Sequence, residues 1–521
     1  MSKRKKLILC VLVMLVYFTP YSCSKDRNPG DDNHTVGTLV KTRYNRTKVL
    51  HNPLNGWVMY ASATADENYW DKEFWVSDIA QTVKVRDYAS ACYIRTSWAV
   101  LNPRDGVYAW RDLSTNIGKL IDGARKRGLP IAFRIVVDGR DQRLNTPQFV
   151  LDAGATYYLE NPSYPDRITP YPQDPVFQQY YAKFIEALAE DFNDPERTSF
   201  IDAYGLGKWG EAHNVIYESE GEKVTANTER LKEEVFEWVT DLYSRHFTKV
   251  PLVINYHRLV GHPASWANSA NENSATLLSK AINKGYSLRQ DAFGMNDYYG
   301  TWEKNFAKTW NFKRPIIMEG GWITGGTHRY WIDSSGKYRE GHPEDVRLGE
   351  YEASREAHVN MMDFRVGNET ESWFTTSFSL VQNFVSEGGY RLYPDQIYIP
   401  ETLNAGQEVT INHRWRNMGW GYFPNNIPQW NFKYKVAFAL LDDKDNVKSI
   451  FVDKNCEPSE WLKDKPQAYD FKIKANVPAG NYKWAVAIVD IQKENKPAIH
   501  LAVNDETTDE GWTKLMNVQV K

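Results

Sequence analysis

From residue 50 to about residue 380 the chain alternates short apolar runs with amphipathic helices, and few folds accept that pattern. It is the pattern of a parallel sheet whose strands are joined by crossover helices. Strand candidates are Gly56 to Ala61, Ala91 to Thr96, Pro130 to Val137, Phe200 to Leu206, Leu252 to His257, Ala292 to Asn296, Pro315 to Glu319 and Glu371 to Phe374, eight in all. Between them, Phe177, Tyr180, Tyr181, Phe184, Ile185, Leu188 and Phe192 recur at helical steps, as do Leu231, Val235, Val239 and Leu242. Asp174 followed by Pro175 supplies an N-cap and a first-turn proline. Further helices are expected over Leu113 to Arg127 and Glu350 to Asp363. No glycine-rich phosphate loop follows the first strand, so a closed (β/α)8 barrel fits better than an open doubly wound sheet.

Beyond residue 389 the period changes from helical to two. Val409, Ile411, His413 and Trp415 alternate with polar residues, as do Tyr434, Val436, Phe438 and Leu440, and Tyr482, Trp484, Val486 and Ile488. Turn-rich stretches around Gly406, Asp442 to Asn446 and Pro478 to Asn481 separate these runs. The expected organisation is an α/β barrel over residues 46–385 followed by an antiparallel β-sandwich of Ig-like type over residues 389–521.

Two strand ends carry the functional reading. Phe200-Ile-Asp-Ala-Tyr-Gly-Leu-Gly-Lys-Trp-Gly-Glu-Ala-His213 runs from apolar residues into glycines and delivers Trp209, Glu211 and His213. Arg314-Pro-Ile-Ile-Met-Glu-Gly-Gly-Trp322 repeats the design, closing on Glu319 with Trp322 beside it. Two carboxyl groups at the C-terminal rim of one barrel, each next to glycine and an indole, suit the cleavage of a sugar bond from both sides. Reading the other strand ends gives Arg95 after the second, Arg134 within the third, Asn255 and His257 on the fifth, Asn296, Tyr298 and Tyr299 around the sixth, and Trp373 on the eighth. Charges inside apolar strands are costly unless paired, so Arg95 and Arg134 should have carboxylate partners, as structural ion pairs or as ligand contacts. An arginine near Glu319 would keep it ionised while burial keeps Glu211 protonated.

Barrel order, with one Glu after the fourth strand and one ending the seventh, resembles clan A of the glycoside hydrolases, as do Trp98-Ala-Val-Leu-Asn-Pro-Arg-Asp-Gly-Val-Tyr-Ala-Trp110 and Asp174-Pro-Val-Phe, which look like its β-galactosidase-like members. The resemblance implies that Glu211 is the acid/base and Glu319 the nucleophile of a retaining hydrolase. Tyr298 or Tyr299 would bond Glu319, and Trp209, Trp322 and Trp373 would wall the sugar pocket. One departure stands out: many clan members carry Asn before the acid/base, and this chain has Gly210. The hydrogen bond to the sugar 2-hydroxyl then falls to Asn255, Asn296 or His213. The sandwich segment Arg416-Asn-Met-Gly-Trp-Gly-Tyr-Phe-Pro424 resembles a family of barrel-plus-sandwich bacterial lipoproteins of mostly unassigned function. The sandwich either buttresses the barrel, with Trp415, Trp420, Tyr422 and Trp430 in its core, or binds glycan through those rings.

The remaining features bound the surroundings. A net charge of -3 offers no basic field for nucleic acid, whereas 19 Trp, 31 Tyr and 22 Phe suit a carbohydrate partner whose ring faces stack on aromatic planes. Lys3 to Lys6 precede the apolar run Leu7 to Phe18, and Cys23 follows a small residue. Residues 1–22 therefore read as a lipoprotein signal peptide, Cys23 as the lipidated residue holding the protein at the outer membrane, and residues 23–45 as a tether. Cys92 and Cys456 are expected as buried thiols, and no histidine spacing suggests a metal, so neither metal nor cofactor is expected. A non-catalytic glycan-binding lipoprotein on the same scaffold is the alternative. Sugar, linkage and oligomeric state are not legible in the chain.

Overall fold

A computed structural model describes residues 37–140, 142–218, 220–221, 223–263, 273–295, 298–324 and 336–521. The export segment, Cys23 and Asn296 lie outside these residues.

Eight strands close into a barrel in chain order: β1 (Gly56–Ser62), β2 (Ala89–Ser97), β3 (Ile131–Val136), β4 (Thr198–Asp202), β5 (Leu252–Asn255), β6 (Tyr286–Gln290), β7 (Ile316–Met318) and β8 (Met361–Asp363). Each pairs in parallel with the next, and β8 returns to β1. Helices α1 (Asn116–Lys126), α2 (Pro175–Phe192), α3 (Ala226–His246), α4 (Ser274–Asn283), α5 (Thr301–Trp310) and α6 (Pro343–Glu356) pack outside. Asp174 caps α2 by accepting from the Phe177 amide, and the buried face below it carries Phe177, Tyr181, Phe184, Ile185 and Leu188. That face is the helical-period stripe of the sequence, and removing one such side chain, as in Leu188→Ala, costs about 2–5 kcal/mol.

Two strands are not where apolar runs suggest. The sixth is Tyr286–Gln290 rather than Ala292 to Asn296. Ser287 and Arg289 interrupt its hydrophobicity because they face the barrel interior, while Ala292 has φ 52° and belongs to a turn. The eighth is Met361–Asp363, and Glu371 to Phe374 lies within helix α7 (Asn368–Thr375). A three-residue strand leaves little periodicity to detect, and Trp373 and Phe374 are the buried side of a helix. The helix expected to run to Asp363 ends at Glu356, and His358, at φ 57°, turns the chain into β8.

Side-chain alternation along the strands divides the barrel interior into two layers. Val58, Ala91, Ala132, Phe200, Val253, Ile317 and Met361 form an apolar floor continuous with the sandwich core. Two residues further on, Tyr60, Arg134, Asp202, Asn255, Arg289, Glu319 and Asp363 form a polar layer toward the C-terminal rim. A final helix α8 (Phe378–Glu387) leads to the second unit.

The sandwich consists of two sheets. Thr38–Val40, β9 (Leu392–Ile399), β10 (Glu408–Asn417) and β13 (Gln467–Lys474) form one; β11 (Tyr434–Leu441), β12 (Val447–Asp453), β14 (Gly480–Asp490) and β15 (Thr513–Val520) anchor the other. The stretch expected as a tether therefore becomes part of the sandwich from Thr38 onward. Trp415, Trp420, Tyr422 and Trp430 are all buried. The Trp420 indole donates to the Val359 carbonyl at 2.8 Å and Asn360 donates to Tyr422 O at 2.8 Å, so this segment fastens the sandwich to the barrel. Among the described residues no helix is long and apolar enough to cross a membrane.

Candidate active site

The chain leaving β4 is bent through a run of left-handed backbone. Gly205, Gly207 and Gly210 have φ between 74° and 78°, and the non-glycine residues Trp209 (58°), Ala212 (63°) and Asn214 (52°) share that region. At the three non-glycine residues this conformation costs about 1–3 kcal/mol each and persists only where surroundings over-determine it. Here the fixings are visible. His257 Nε2–H donates to the Glu211 carbonyl at 2.7 Å, its proton position set by Nδ1 accepting from the Leu259 amide at 3.1 Å. Arg140 donates to Asn214 Oδ1 at 2.6 Å while paired to Asp138, tying the loops after β3 and β4 together. Gly210 has a local reason: a Cβ there would stand 3.2 Å from the Ile135 carbonyl and 3.3 Å from the Arg134 side chain, besides its positive φ.

The result aims Glu211 across the barrel mouth at Glu319. One guanidinium spans them: Arg134 donates from Nη1 to Glu211 at 2.8 Å, from Nη2 to Glu319 at 2.7 Å, and from Nε to Asp202 at 2.7 Å. Glu319 also accepts from Arg289 and Arg365. Arg289 continues to Asp363 at 3.2 Å, and Arg365 lies 3.5 Å from Asp291. Oxygens of Glu211, Asp291 and Glu319 lie within 4.8 Å of one another. The turn after Glu319 is held by carboxylates accepting its amides, Asp363 from Gly320 at 3.3 Å and Glu350 from Gly321 at 2.7 Å.

Burial and charge drive the two glutamates apart. Burial raises Glu211 above the ordinary carboxylate range, and the neighbouring Glu319 charge adds to the rise against the pull of Arg134 and Arg95. Burial would raise Glu319 too, but Arg134, Arg289, Arg365 and Arg95 together outweigh it and hold Glu319 well below that range. Burial also pushes Asp291 well above its usual value, and Asp363 up to about 6. Burial and charge thus bias the pair in opposite directions, Glu319 toward its ionised form and Glu211 toward its protonated form.

Other expected residues divide. Asn255 faces the interior beside Arg289, buried, with neither amide atom bonded. Trp322 is 46% exposed at the mouth with the Arg365 guanidinium 5.2 Å over its ring. Trp209 meets His213 edge-on, and His213 Nε2 lies 3.5 Å from Glu211. Burial lowers His213 to about 3, so it is neutral.

Three expectations fail. Tyr299 turns away to Tyr256, 3.1 Å between hydroxyls, and among the described residues Tyr298 makes no bond to Glu319, whose oxygens are taken by arginines. Trp373, on α7, is buried against Trp57 and Arg347 behind the barrel and cannot wall a pocket. Arg134 has its carboxylates, but among the described residues Arg95 has none within ion-pair distance, and its Nη2 is buried without an acceptor. Missed by the sequence reading were Asp202, Arg289, Asp291, Asp363 and Arg365. Asp202, Arg289 and Asp363 show the signal that found Glu319, a charge within or ending a short strand, but two of those strands were misplaced.

Among the described residues two clusters have ligating atoms close enough for a cation. The Glu211, Asp291 and Glu319 group already faces arginines, which a cation would have to displace. In the sandwich, His413 beside Asp453 and Cys456 has both ring nitrogens engaged, with Asp453 at 3.1 Å and the Trp415 indole at 2.8 Å.

No protein-family model matches the chain, and no curated protein matches it. Among solved structures, the lactosyl-enzyme intermediate of endo-glycoceramidase II from Rhodococcus sp. aligns over 83% of this chain and 100% of its own at 12% identity and a TM-score of 0.36. Xylanase 10B from Thermotoga maritima aligns over 64% and 94% at 9% identity and a TM-score of 0.34. Endoglucanase Cel5A from Pseudomonas stutzeri aligns over 57% and 81% at 10% identity and a TM-score of 0.31. Likeness at this level assigns neither family nor activity, so the functional argument rests on the site itself.

Proposed function

We propose that the protein is a retaining glycoside hydrolase in which Glu319 attacks the anomeric carbon while Glu211 protonates the departing glycosidic oxygen. Glu211 then takes a proton from the water that cleaves the glycosyl-Glu319 ester, which restores both groups. The observation that carries this reading is the Arg134 fork, which holds the two carboxyl groups on one guanidinium. With oxygens of the pair within 4.8 Å, the spacing favours double displacement, which needs carboxyl groups about 5–5.5 Å apart, over an inverting reaction, which needs about 6.5–9.5 Å. The opposite displacement of the two pKa values supports the same division of roles. Asn255, with its amide unengaged, is the residue best placed to bond a sugar hydroxyl in place of the Asn that Gly210 replaces.

The test is a panel of aryl glycosides and oligosaccharides with the anomeric configuration of the product followed by NMR. A 2-fluoro-glycoside of any substrate that is cleaved should leave its sugar on Glu319, read by peptide mass. Complete burial of Glu319 under three arginines favours one second reading, a glycan-binding protein that cleaves nothing. Binding of glycans with no turnover across the panel would establish it.

Anchoring through Cys23 is part of the proposal and rests on the N-terminal sequence. Fatty-acid labelling lost in Cys23→Ala, with release of the protein from the membrane fraction, is the expected result.

A further inference from the structure

Arginine side chains in the polar layer come in two kinds. Arg134, Arg289 and Arg365 each reach two or more carboxyl groups. Arg95, half-buried and in register with Arg134 on the interior face, reaches none among the described residues. In register with the strand beside it is β1, whose inward-facing Tyr60 is 3% exposed with a hydroxyl that has no hydrogen-bond partner. Across the mouth the Asn255 amide is equally unengaged. An unpaired guanidinium and a bare hydroxyl in a low-dielectric site are costly unless something pairs them. The carboxyl groups of the layer face the other three arginines instead: Asp202, Glu211 and Glu319 lie against Arg134, Glu319 and Asp363 against Arg289, and Glu319 and Asp291 against Arg365. Among the described residues Arg95 is thus the arginine of the four with no carboxyl group in reach, and the Tyr60 hydroxyl beside it is equally free to donate.

We propose that Arg95 and Tyr60 bind an anionic substituent of the sugar, a carboxylate or a sulfate ester, so that the substrates are acidic rather than neutral glycans. This rests on the reading of the mouth as a sugar site. The planar guanidinium fork matches two oxygens of such a group, with the Tyr60 hydroxyl as a further donor. Placed there, the anion meets a guanidinium that, among the described residues, has no carboxyl group within ion-pair distance. A neutral hexose can accept hydrogen bonds from these donors but brings no counter-charge to the guanidinium, and a site built this way discriminates against it.

The test uses the full-length protein and matched aryl glycosides differing only at the substituent: hexoside, hexuronide and sulfated hexoside. The wild type is expected to turn over one acidic member at least about 100-fold faster, by kcat/KM, than the hexoside. Arg95→Gln should lose at least about 50-fold more on that acidic member than on the hexoside, and Arg95→Lys should recover part of the difference. A preference for the hexuronide names a carboxylate, and a preference for the sulfated hexoside names a sulfate ester. Equal losses on neutral and acidic members would overturn the proposal and make Arg95 a positioning residue for Glu319. If nothing is cleaved, hydrolysis fails as a reading, and titration with free hexuronate, hexose sulfate and hexose decides the present point separately. Acid binding that weakens in both Arg95→Gln and Tyr60→Phe upholds it; equal affinity for acid and neutral sugar overturns it.

Discussion

Arg134 donates to Glu211 from one terminal nitrogen at 2.8 Å and to Glu319 from the other at 2.7 Å, so the distance between the two carboxyl groups is set by the width of a guanidinium. Lysine is a point charge on a flexible stem and cannot reproduce that fork. Arg134→Lys is expected to lower kcat by roughly 100-fold or more by letting the pair drift. Arg134→Met goes further, because Asp202, Glu211 and Glu319 lose a shared buried cation. It should destabilise the barrel by about 3–5 kcal/mol, measured as a shift of the urea midpoint.

The pH dependence follows from the opposed shifts. The proposed mechanism needs Glu319 ionised, held low by its arginines, and Glu211 protonated, raised by burial. The profile of kcat/KM should be a bell whose acid limb lies below the ordinary carboxylate range and whose basic limb lies above it. Glu211→Gln should abolish the basic limb on substrates with good leaving groups and cost roughly 10²–10⁴-fold on poor ones. A basic limb that survives in that variant would remove Glu211 from the acid role. Stability responds with opposite signs: the part owed to Glu319 is present above its unfolded pKa and lost on acidification, whereas the part owed to Glu211 is lost as pH rises through its folded value.

Two glycines separate conformational strain from packing. Gly128 and Gly210 both have positive φ, at 66° and 75°. A Cβ at Gly128 meets nothing within 4 Å, and one at Gly210 meets the Ile135 carbonyl and Arg134. Gly128→Ala is expected to cost about 1 kcal/mol of stability without affecting turnover. Gly210→Ala should reduce kcat more than about 10-fold, because the chain that presents Glu211 must shift. Equal effects on turnover in the two variants would show that Gly210 serves only the backbone.

Trp322 and Trp373 give the same contrast for aromatics. Trp322→Ala removes an exposed ring at the mouth and is expected to raise KM with little change in melting temperature. Trp373→Ala empties a buried site against Trp57 and should cost about 3–5 kcal/mol, seen as a lowered melting temperature before any change in KM.

Burial of His257 makes a last prediction. Its Nε2–H holds the Glu211 carbonyl, and burial keeps the ring neutral, so its role is positional and independent of pH. His257→Phe should lower kcat across the whole profile without moving either limb. A displaced limb would instead make the ring part of the proton transfer.

The residues recognisable beforehand share one physical property: they interrupt a local pattern. Glu211 and Glu319 come at or after the ends of apolar runs and each adjoins a glycine, Gly210 before the one and Gly320 after the other, so period and punctuation mark them without any tertiary information. The barrel, the sandwich and the capped helix after Asp174 were legible for the same reason, since period 3.6, period 2 and turn chemistry are properties of neighbours in the chain. Arg289 and Asp363 escaped because their strands are short and polar on the inward face, which erases the apolar run that announces a strand. The pairing of Arg134 with three carboxylates and the lack of any for Arg95 among the described residues were decided only by folding. Both are arginines near the end of an apolar strand, in register with each other. Which one is satisfied depends on what the other strands bring to the mouth, and closure of the barrel alone sets that.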